Sequence, residues 1–289
     1  MSSKVAMLGL GLMGAGMAGQ LLAKGFDLAV WNRDGAKSEP FRARGARVAG
    51  TPAAAARGSE VVVAMLANDE ASRAVWFGAD GALAAMEAGA VAVECSTLSP
   101  GWVAELAAAA EACGLFFVDA PVTGSKSNAE AGDLRFLAGG RRDALAKAGP
   151  VLLAMGSSIV PMGKSGSGAV MKLINNFMCA VQSATLAEAL VMAERCGLDV
   201  AQVAEALGTG APGSPHVRAL AQRMLTRDYR PNFTPPLMVK DLDYAIAAFS
   251  EQGITLATAA AARARHADAA VRAPDQDIAV VIEPIRGGH

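Results

Sequence analysis

Three glycines near the N-terminus, in Gly9-Leu10-Gly11-Leu12-Met13-Gly14, constrain the fold of this chain more than any other feature. The apolar segment from Lys4 to Leu8 predicts a strand before them, a helical pattern follows, and Leu28 to Trp31 predicts a second strand. In this setting the first glycine permits a tight turn, the second admits a pyrophosphate close to the backbone, and the third allows close helix packing. The stretch therefore predicts a dinucleotide-binding Rossmann fold, with residues 9–14 contacting the cofactor.

The same region has a competing interpretation, because the residues from Val5 to Ala23 carry no charge and Lys4 precedes them. Uncharged N-terminal runs also occur in signal peptides and membrane spans. Five glycines interrupt this run, however, and glycine weakens an apolar helix. We therefore interpret the run as strand, turn and helix, and predict that the chain does not enter a membrane.

The end of the second predicted strand bears on the choice of dinucleotide. An NAD site usually has a carboxylate there, which binds the ribose hydroxyls. This chain has Asn32 and Arg33, and arginine pairs well with a 2′-phosphate through its planar guanidinium. We predict contacts from both residues and NADPH as the preferred cofactor. NAD is the alternative if Asp34 turns inward, and a solvated loop charge is the alternative for Arg33.

Apolar runs and helical patterns continue to alternate, which predicts further strands of the same sheet. The predicted elements are strands at Glu60–Leu66, Ala90–Glu94, Leu115–Asp119, Leu134–Leu137 and Ile159–Met162, with helices around Ala82–Glu87, from Pro100 and over Arg142–Leu153. Ligands of open parallel sheets collect beyond the carboxyl ends of the strands, where Asn68 and Thr97 lie. We predict cofactor contacts for both residues, and helix capping is an equal alternative for Thr97.

A polar loop follows the strand predicted at Leu115–Asp119. Its sequence, Ala120-Pro121-Val122-Thr123-Gly124-Ser125-Lys126, offers hydroxyls, backbone donors and a lysine. Such a loop suits a substrate carboxylate. The same composition is typical of an ordinary polar turn, which is the alternative.

After Gly166 the sequence period becomes helical, and Ala169 to Cys196 predicts one long helix. Lys172 and Asn176 are four residues apart, so they share a face of this helix. An amine and an amide presented together can hold and protonate a small polar ligand. The alternative is a lysine whose stem covers apolar surface while its ammonium reaches water.

The later patterns predict shorter helices, around Val200–Leu207, His216–Leu225, Pro236–Phe249 and Leu256–Ala270. We therefore predict an α/β Rossmann domain over residues 1–164 and an all-α domain for substrate binding and oligomerisation over residues 165–289.

Composition narrows the possible functions. A net charge of −1 provides no basic field for nucleic acid or an anionic membrane. The four cysteines and the three histidines (His216, His266 and His289) show neither metal-ligand spacing nor disulfide density, which favours a reducing cytoplasm and no metal site. The long apolar helix needs cover on several sides, which predicts a homodimer or homotetramer.

Four ordered segments of the chain resemble one family. They are the glycine stretch at residues 9–14, then Asp119–Ser125, Gly166–Asn176, and Lys240-Asp241-Leu242-Asp243-Tyr244-Ala245. The chain resembles the β-hydroxyacid dehydrogenases, which include 3-hydroxyisobutyrate dehydrogenase, tartronate semialdehyde reductase and the glyoxylate/succinic semialdehyde reductases. The resemblance implies a Rossmann domain followed by an all-helical domain, joined by the long helix from about Ala169. It also implies Lys172 as the acid/base and Asn176 as a neighbouring substrate ligand.

The resemblance also implies roles outside the long helix. They are a carboxylate-binding loop at Thr123, Gly124 and Ser125, a nicotinamide-ribose contact at Thr97, a cofactor contact at Lys240, a position close to the substrate for Asp241, and a substrate-side aromatic at Phe233. The family loop usually reads Ser-Gly-Gly, and the threonine methyl here narrows the pocket. The Gly-Ser-Lys ending of the loop and Asn32-Arg33 look more like the glyoxylate/succinic semialdehyde branch.

Together these implications predict an NADPH-preferring oxidoreductase that interconverts a small carboxylated aldehyde and its hydroxy acid. Three alternatives remain open. They are an NAD-dependent dehydrogenase of the 3-hydroxyisobutyrate or tartronate semialdehyde type, an imine reductase, and a non-catalytic cofactor-binding scaffold. Imine reductases of this architecture generally lack the lysine, so Lys172 argues against the second.

Overall fold

The computed structural model describes residues 3–287, so His289 lies outside the described residues. The chain divides into two compact units, the first ending at Lys172 and the second beginning at Leu173. This division falls within the long helix, whereas the sequence places the domain boundary between residues 164 and 165. That boundary stays a prediction.

One mixed sheet forms the centre of the first unit. Within residues 3–287 it has nine strands: β1 (Lys4–Leu8), β2 (Asp27–Trp31), β3 (Arg47–Val48), β4 (Val61–Ala64), β5 (Val91–Glu94), β6 (Phe116–Asp119), β7 (Val122–Thr123), β8 (Leu134–Gly140) and β9 (Gly156–Gly163). The order β3-β2-β1-β4-β5-β6 is entirely parallel, while β8 runs antiparallel to β6 and β7 and pairs with β9 on its other side. Strand order reverses between β1 and β4, so a ligand crevice is expected at their carboxyl ends.

Helices cover both faces of this sheet. They are α1 (Leu12–Ala23), α2 (Glu39–Arg42), α3 (Pro52–Ala56), α4 (Asp69–Phe77), α5 (Pro100–Ala112), α6 (Lys126–Ala131), α7 (Arg142–Met155) and the beginning of α8 (Ser167–Arg195). Successive side chains of a strand point to opposite faces, so Val5 and Met7 enter one apolar core and Ala6 and Leu8 enter the other. The central strands are therefore apolar on both sides, as parallel strands require.

The second unit is entirely helical over its described residues. After α8 it contains α9 (Val200–Thr209), α10 (Pro215–Thr226), α11 (Pro235–Ser250), α12 (Ala257–Arg272), a 3₁₀ turn at Ile278–Val281 and α13 (Ile282–Gly287). These helices pack around one apolar core. Helix α8 is long and apolar enough to cross a membrane, although half of its most apolar stretch is buried. Core helices of soluble proteins can be equally long and apolar.

Three local differences from the sequence predictions have physical reasons. The predicted helix at Ala82–Glu87 is a single 3₁₀ turn at Leu83–Ala85, which ends where Met86 becomes extended. No helix is predicted directly after Asn68, but α4 begins at Asp69, because the Asn68 side chain caps its first turn. The loop predicted at residues 120–126 is partly strand, since Val122 and Thr123 pair with β8.

Candidate active site

The glycine stretch forms the turn between β1 and α1. Gly9 has a φ of +96°, and a Cβ there would collide with the carbonyl oxygen of Met65. A Cβ on Gly14 would collide with the carbonyl oxygen of Gly9, whereas one on Gly11 would meet no atom within 4 Å. The first and third glycines are therefore required by close backbone packing, and the second leaves space beside the turn.

The N-terminus of α1 is suited to an anion. Gly11 is its N-cap and provides no side-chain cap, and the first turn carries no acidic residue. Gly11 and Leu12 are both exposed, so the helix begins at the surface, where the positive end of its dipole lies. These features fit the pyrophosphate of a dinucleotide.

Asn32, which follows β2, supports the glycine turn. Its Oδ1 accepts the backbone N–H of Leu10 at 2.8 Å, and its Nδ2 donates to the backbone oxygen of Asp34 at 3.0 Å. The Asp34 carboxylate accepts the N–H of Ala36 at 3.1 Å and so caps its own 3₁₀ turn. Arg33 is exposed and has no hydrogen-bond or ion-pair partner among residues 3–287. Of the two charged residues, Arg33 is thus the one whose side chain is not already engaged locally.

Asn68 and Thr97 follow the ends of β4 and β5. The Asn68 Oδ1 accepts the N–H of Ala71 at 2.9 Å, which gives this residue a capping role that the sequence analysis did not assign. The N-cap of α5 is Ser99, whose hydroxyl accepts the N–H of Trp102 at 3.2 Å. Capping of α5 therefore does not fall to Thr97, which is half-buried. The cofactor contacts of Asn68 and Thr97 stay predictions.

A buried glutamate, which sequence reasoning missed, fixes these two loops. Glu94 ends β5 and accepts hydrogen bonds from the Ser72 hydroxyl at 2.7 Å, the Trp76 indole at 2.9 Å and the Ser96 N–H at 2.9 Å. The Ser96 hydroxyl in turn accepts the N–H of Leu66 in the loop after β4, at 2.7 Å. Burial raises the pKa of Glu94, against the opposing effect of its donors.

The candidate carboxylate loop lies between β7 and α6. Thr123 is half-buried in β7, and Gly124 has a φ of +129° with Asn128 and Leu134 close to where a Cβ would lie. The N–H and the hydroxyl of Ser125 both bond to Asn128 Oδ1, at 2.9 and 2.8 Å. The Ser125 hydroxyl is therefore engaged in the first turn of α6, and its contact with substrate stays a prediction.

Lys172 and Asn176 lie one turn apart in α8, as their spacing predicts. Lys172 is half-buried and Asn176 is 5% exposed. The N-terminus of this helix is held by Asp119 at the end of β6, whose two carboxylate oxygens accept the N–H groups of Gly166 at 2.7 Å and Ala169 at 2.9 Å. Burial raises the pKa of Asp119 to about 6, although these backbone donors oppose the shift.

Within the second unit, three of the predicted site residues contact one another. The Asn176 Nδ2 donates to Asp241 Oδ2 at 2.5 Å, and the Lys240 Nζ lies 2.8 Å from Asp241 Oδ1. Asp241 is only 1% exposed. Phe233 is half-buried just before α11, where its N–H donates to the Asp277 carboxylate at 3.2 Å.

Comparison with known proteins identifies the family to which this arrangement belongs. A family model described as the NAD binding domain of 6-phosphogluconate dehydrogenase matches residues 4–163. A second, described as NAD-binding of NADP-dependent 3-hydroxyisobutyrate dehydrogenase, matches residues 166–285. The chain belongs to the β-hydroxyacid dehydrogenase family.

Individual relatives agree with this assignment. The 3-sulfolactaldehyde reductase of Escherichia coli (strain K12) is 32% identical over 284 residues, which are 98% of this chain and 95% of the relative. An NAD-dependent L-serine dehydrogenase of Pseudomonas aeruginosa is 35% identical over 84% of each chain. The 3-hydroxyisobutyrate dehydrogenase of Mycobacterium tuberculosis, in a structure described with L-serine, matches with a TM-score of 0.91 at 31% identity, over 99% of this chain and 100% of that one.

These findings confirm the predicted Rossmann domain with a following helical domain and the predicted enzyme class. The β-hydroxyacid dehydrogenase is an NAD(P)-dependent oxidoreductase of small hydroxy acids or the corresponding aldehydes. The roles assigned to individual residues are not tested by these comparisons and stay predictions.

Proposed function

We propose that this β-hydroxyacid dehydrogenase is an NADPH-preferring reductase of small carboxylated aldehydes, with glyoxylate or succinic semialdehyde as substrate. The observation that carries the proposal is the pair Lys172 and Asn176, one turn apart in α8 of a chain that has a dinucleotide-binding turn. Lys172 also argues against the imine reductase alternative.

Bound NADPH would supply a hydride for the aldehyde carbon, and the residues of this chain would act on the carbonyl oxygen, where negative charge develops. The Lys172 ammonium stabilises that charge and gives a proton to the oxygen, so that the product is a neutral hydroxyl. An N–H of Asn176 holds the same oxygen. The Thr123 hydroxyl and the backbone N–H groups beside Gly124 bind the substrate carboxylate and set its orientation. In the oxidation direction, Lys172 accepts the proton from the hydroxyl.

The preference for NADPH rests on Arg33 and Asp34. The Asp34 carboxylate is engaged by the N–H of Ala36, while the Arg33 guanidinium is exposed. Arginine offers a charge-assisted fork to a 2′-phosphate, and a ribose hydroxyl gives it a weaker partner. We therefore expect Arg33→Ala to raise the KM for NADPH by about tenfold and to change the KM for NADH little.

The test of the reaction is turnover with glyoxylate and succinic semialdehyde, with either cofactor, for the wild type and Lys172→Ala. We expect kcat to fall by at least about a hundredfold in the variant while NADPH still binds, because only the proton donor is removed. Lys164→Ala is the matched control, since Lys164 is an exposed lysine eight residues earlier. Undiminished turnover in Lys172→Ala would show that the proton comes from another group.

The names of the relatives favour a second candidate, an NAD-dependent dehydrogenase of L-serine or 3-hydroxyisobutyrate. Oxidation of these compounds with NAD, and no reduction of glyoxylate or succinic semialdehyde, would establish it in place of the first. NADPH binding without turnover of any carbonyl or imine compound would support the scaffold alternative.

We also propose a homodimer or homotetramer in the cytoplasm. Val170, Ile174 and Met178 follow one another at intervals of four along α8 and are 37%, 37% and 52% exposed, so they form an apolar stripe that a second copy would cover. Light scattering measures the oligomeric state of the purified protein, and a monomer would contradict the proposed assembly. Replacing Met178 with lysine should weaken the assembly.

A further inference from the structure

Asp241 lies at the centre of a buried polar group in the second unit. Each of its carboxylate oxygens faces a different donor, the Asn176 amide at 2.5 Å and the Lys240 ammonium at 2.8 Å. The ammonium has the distance of an ion pair, although its direction does not satisfy a hydrogen bond to Oδ1. The carboxylate is 1% exposed. Its charge is therefore directed at two side chains of the predicted site.

The Asn176 amide is fixed at both ends by its neighbours. Its Nδ2 donates to Asp241, and its Oδ1 accepts a hydrogen bond from the Asn175 Nδ2 at 3.0 Å. A side-chain amide could otherwise rotate by half a turn and exchange its donor and acceptor. Because a carboxylate accepts only, Asp241 requires the nitrogen to face it. An amide nitrogen has two hydrogens, so the second N–H keeps a fixed direction.

We propose that Asp241 is a positioning residue, which acts on the reaction through Asn176 and Lys240 and does not touch the substrate. The inference rests on the proposed function, since it concerns the amide that is expected to hold the reacting oxygen. A carboxylate in direct contact with the substrate would repel an anionic substrate, whereas one covered by an ammonium and an amide N–H does not. Lys240 is also oriented, because its Nζ contacts both Asp241 Oδ1 at 2.8 Å and the Tyr244 ring, whose centroid lies 4.8 Å away.

A double-mutant cycle tests whether Asp241 acts through Asn176. Asp241→Asn keeps the shape but removes the charge that pairs with Lys240, and only one of its two polar atoms can still accept a hydrogen bond. We expect kcat to fall roughly ten- to a hundredfold, as for a lost hydrogen bond to a charged group, with less than a threefold change in substrate KM. In the Asn176→Ala background the same change should lower kcat by less than about threefold, because the amide that it positions is already absent.

Asp243→Asn is the matched control. Asp243 lies two residues further along α11, is exposed, and pairs with Arg263 on α12. Its substitution therefore removes the same charge from the same helix, at a position without contact to Asn176. It should change kcat and KM by less than about twofold. A rise in KM for Asp241→Asn at unchanged kcat would instead make Asp241 a direct substrate ligand. Additive effects in the cycle would also overturn the proposal.

A readout without substrate separates this proposal from the proposed function. In protein labelled with ¹⁵N-asparagine, the side-chain NH₂ signal of Asn176 is assigned by its loss in Asn176→Ala. It should shift in Asp241→Asn and stay in place in Asp243→Asn. An unchanged signal in Asp241→Asn overturns the positioning role whether or not the enzyme is active. Inactivity of the wild type on every carbonyl substrate, with the signal shifted, would reject only the proposed function.

Discussion

The two units of the molecule bury polar side chains in different ways. In the sheet unit, Glu94 and Asp119 lie at the ends of strands, and each accepts several hydrogen bonds from backbone N–H groups or fixed side-chain donors. In the helical unit, buried side chains of different helices also pair with one another, as the Asn176 amide does with Asp241 and the Ser183 hydroxyl with His266 at 2.9 Å.

The difference follows from where backbone groups need partners. A parallel sheet ends in loops and helix N-termini, whose N–H groups have no partner within their own element. A carboxylate at the strand end can accept several of them, and so it holds a ligand-binding loop in place. The middle of a helix has no such free N–H groups, so buried side chains there pair with other side chains or with backbone carbonyl oxygens. Asp277 of the helical unit lies just before the 3₁₀ turn and accepts backbone N–H groups as the strand-end carboxylates do. Strand-end carboxylates are therefore expected to contribute more to stability than the pairs between helices.

Removing Glu94 should give the largest effect on stability. Glu94→Ala leaves the Ser72 hydroxyl, the Trp76 indole and the Ser96 N–H without their buried acceptor. We expect the free energy of unfolding in urea to fall by on the order of 3–5 kcal/mol. Ser183→Ala in the helical unit removes one pair and should lower it by about 1 kcal/mol.

The control for charge is Glu105→Ala. Glu105 pairs with Arg73 at 2.5 Å, with both side chains about half exposed, and exposed pairs contribute about 0–1 kcal/mol. Equal losses from Glu94→Ala and Ser183→Ala would show that the two units do not differ in the way proposed.

The sequence predicted those parts of the site that depend on local backbone needs. The glycines at residues 9–14 are dictated by contacts within one turn, and the spacing of Lys172 and Asn176 by one helical turn, so a short pattern reveals both. The hydrogen-bond partners of three buried side chains are distant in sequence. Glu94 and Ser72 are 22 residues apart, Asp119 and Ala169 are 50 apart, and Asn176 and Asp241 are 65 apart. No local pattern carries such pairings, because they arise only when the elements pack.

Local capping also limited the prediction. Asn68 and Ser125 carry side chains that suit a ligand, and the sequence could not show that both side chains are used in the first turn of a helix. Ser, Asn and Asp favour helix N-caps for the same reason that they bind ligands, since their short side chains offer hydrogen-bonding groups close to the backbone. Composition alone cannot distinguish the two uses.

The pH dependence of stability gives another comparison of the two units, and in the helical unit it concerns His266. Burial lowers the pKa of His266 to about 4 from 6.5, and the ring Nδ1 has no partner among residues 3–287. Between those values the unfolded chain binds a proton that the folded chain does not. The free energy of unfolding therefore falls as the pH drops from 6.5 to 4, by on the order of 3–4 kcal/mol in total.

His266→Leu should abolish this loss without creating an unsatisfied group, because the Ser183 hydroxyl still donates to the Ala180 carbonyl at 2.9 Å. Urea unfolding at several pH values between 4 and 7 measures it. His216 serves as a comparison with His266. Burial also lowers the pKa of His216, but its hydrogen bond to the Cys179 carbonyl opposes this shift. A pH response of His266→Leu identical to that of the wild type would contradict the assignment.

Asp119 should give a slightly smaller response of the opposite sign. Its pKa is about 6 in the fold and 3.8 otherwise, so between these values the folded chain binds the extra proton. Its contribution is fully present below pH 3.8 and is lost as the pH rises through 6, by roughly 3 kcal/mol.

In the wild type, this loss of stability with rising pH offsets the gain from His266 over the same range. Asp119→Asn should therefore lose stability more steeply than the wild type as the pH falls from 6 to 4, whereas His266→Leu should gain it. If the free energy of unfolding of both variants changes in the same direction as the pH falls, the assignment of opposing contributions to Asp119 and His266 is wrong.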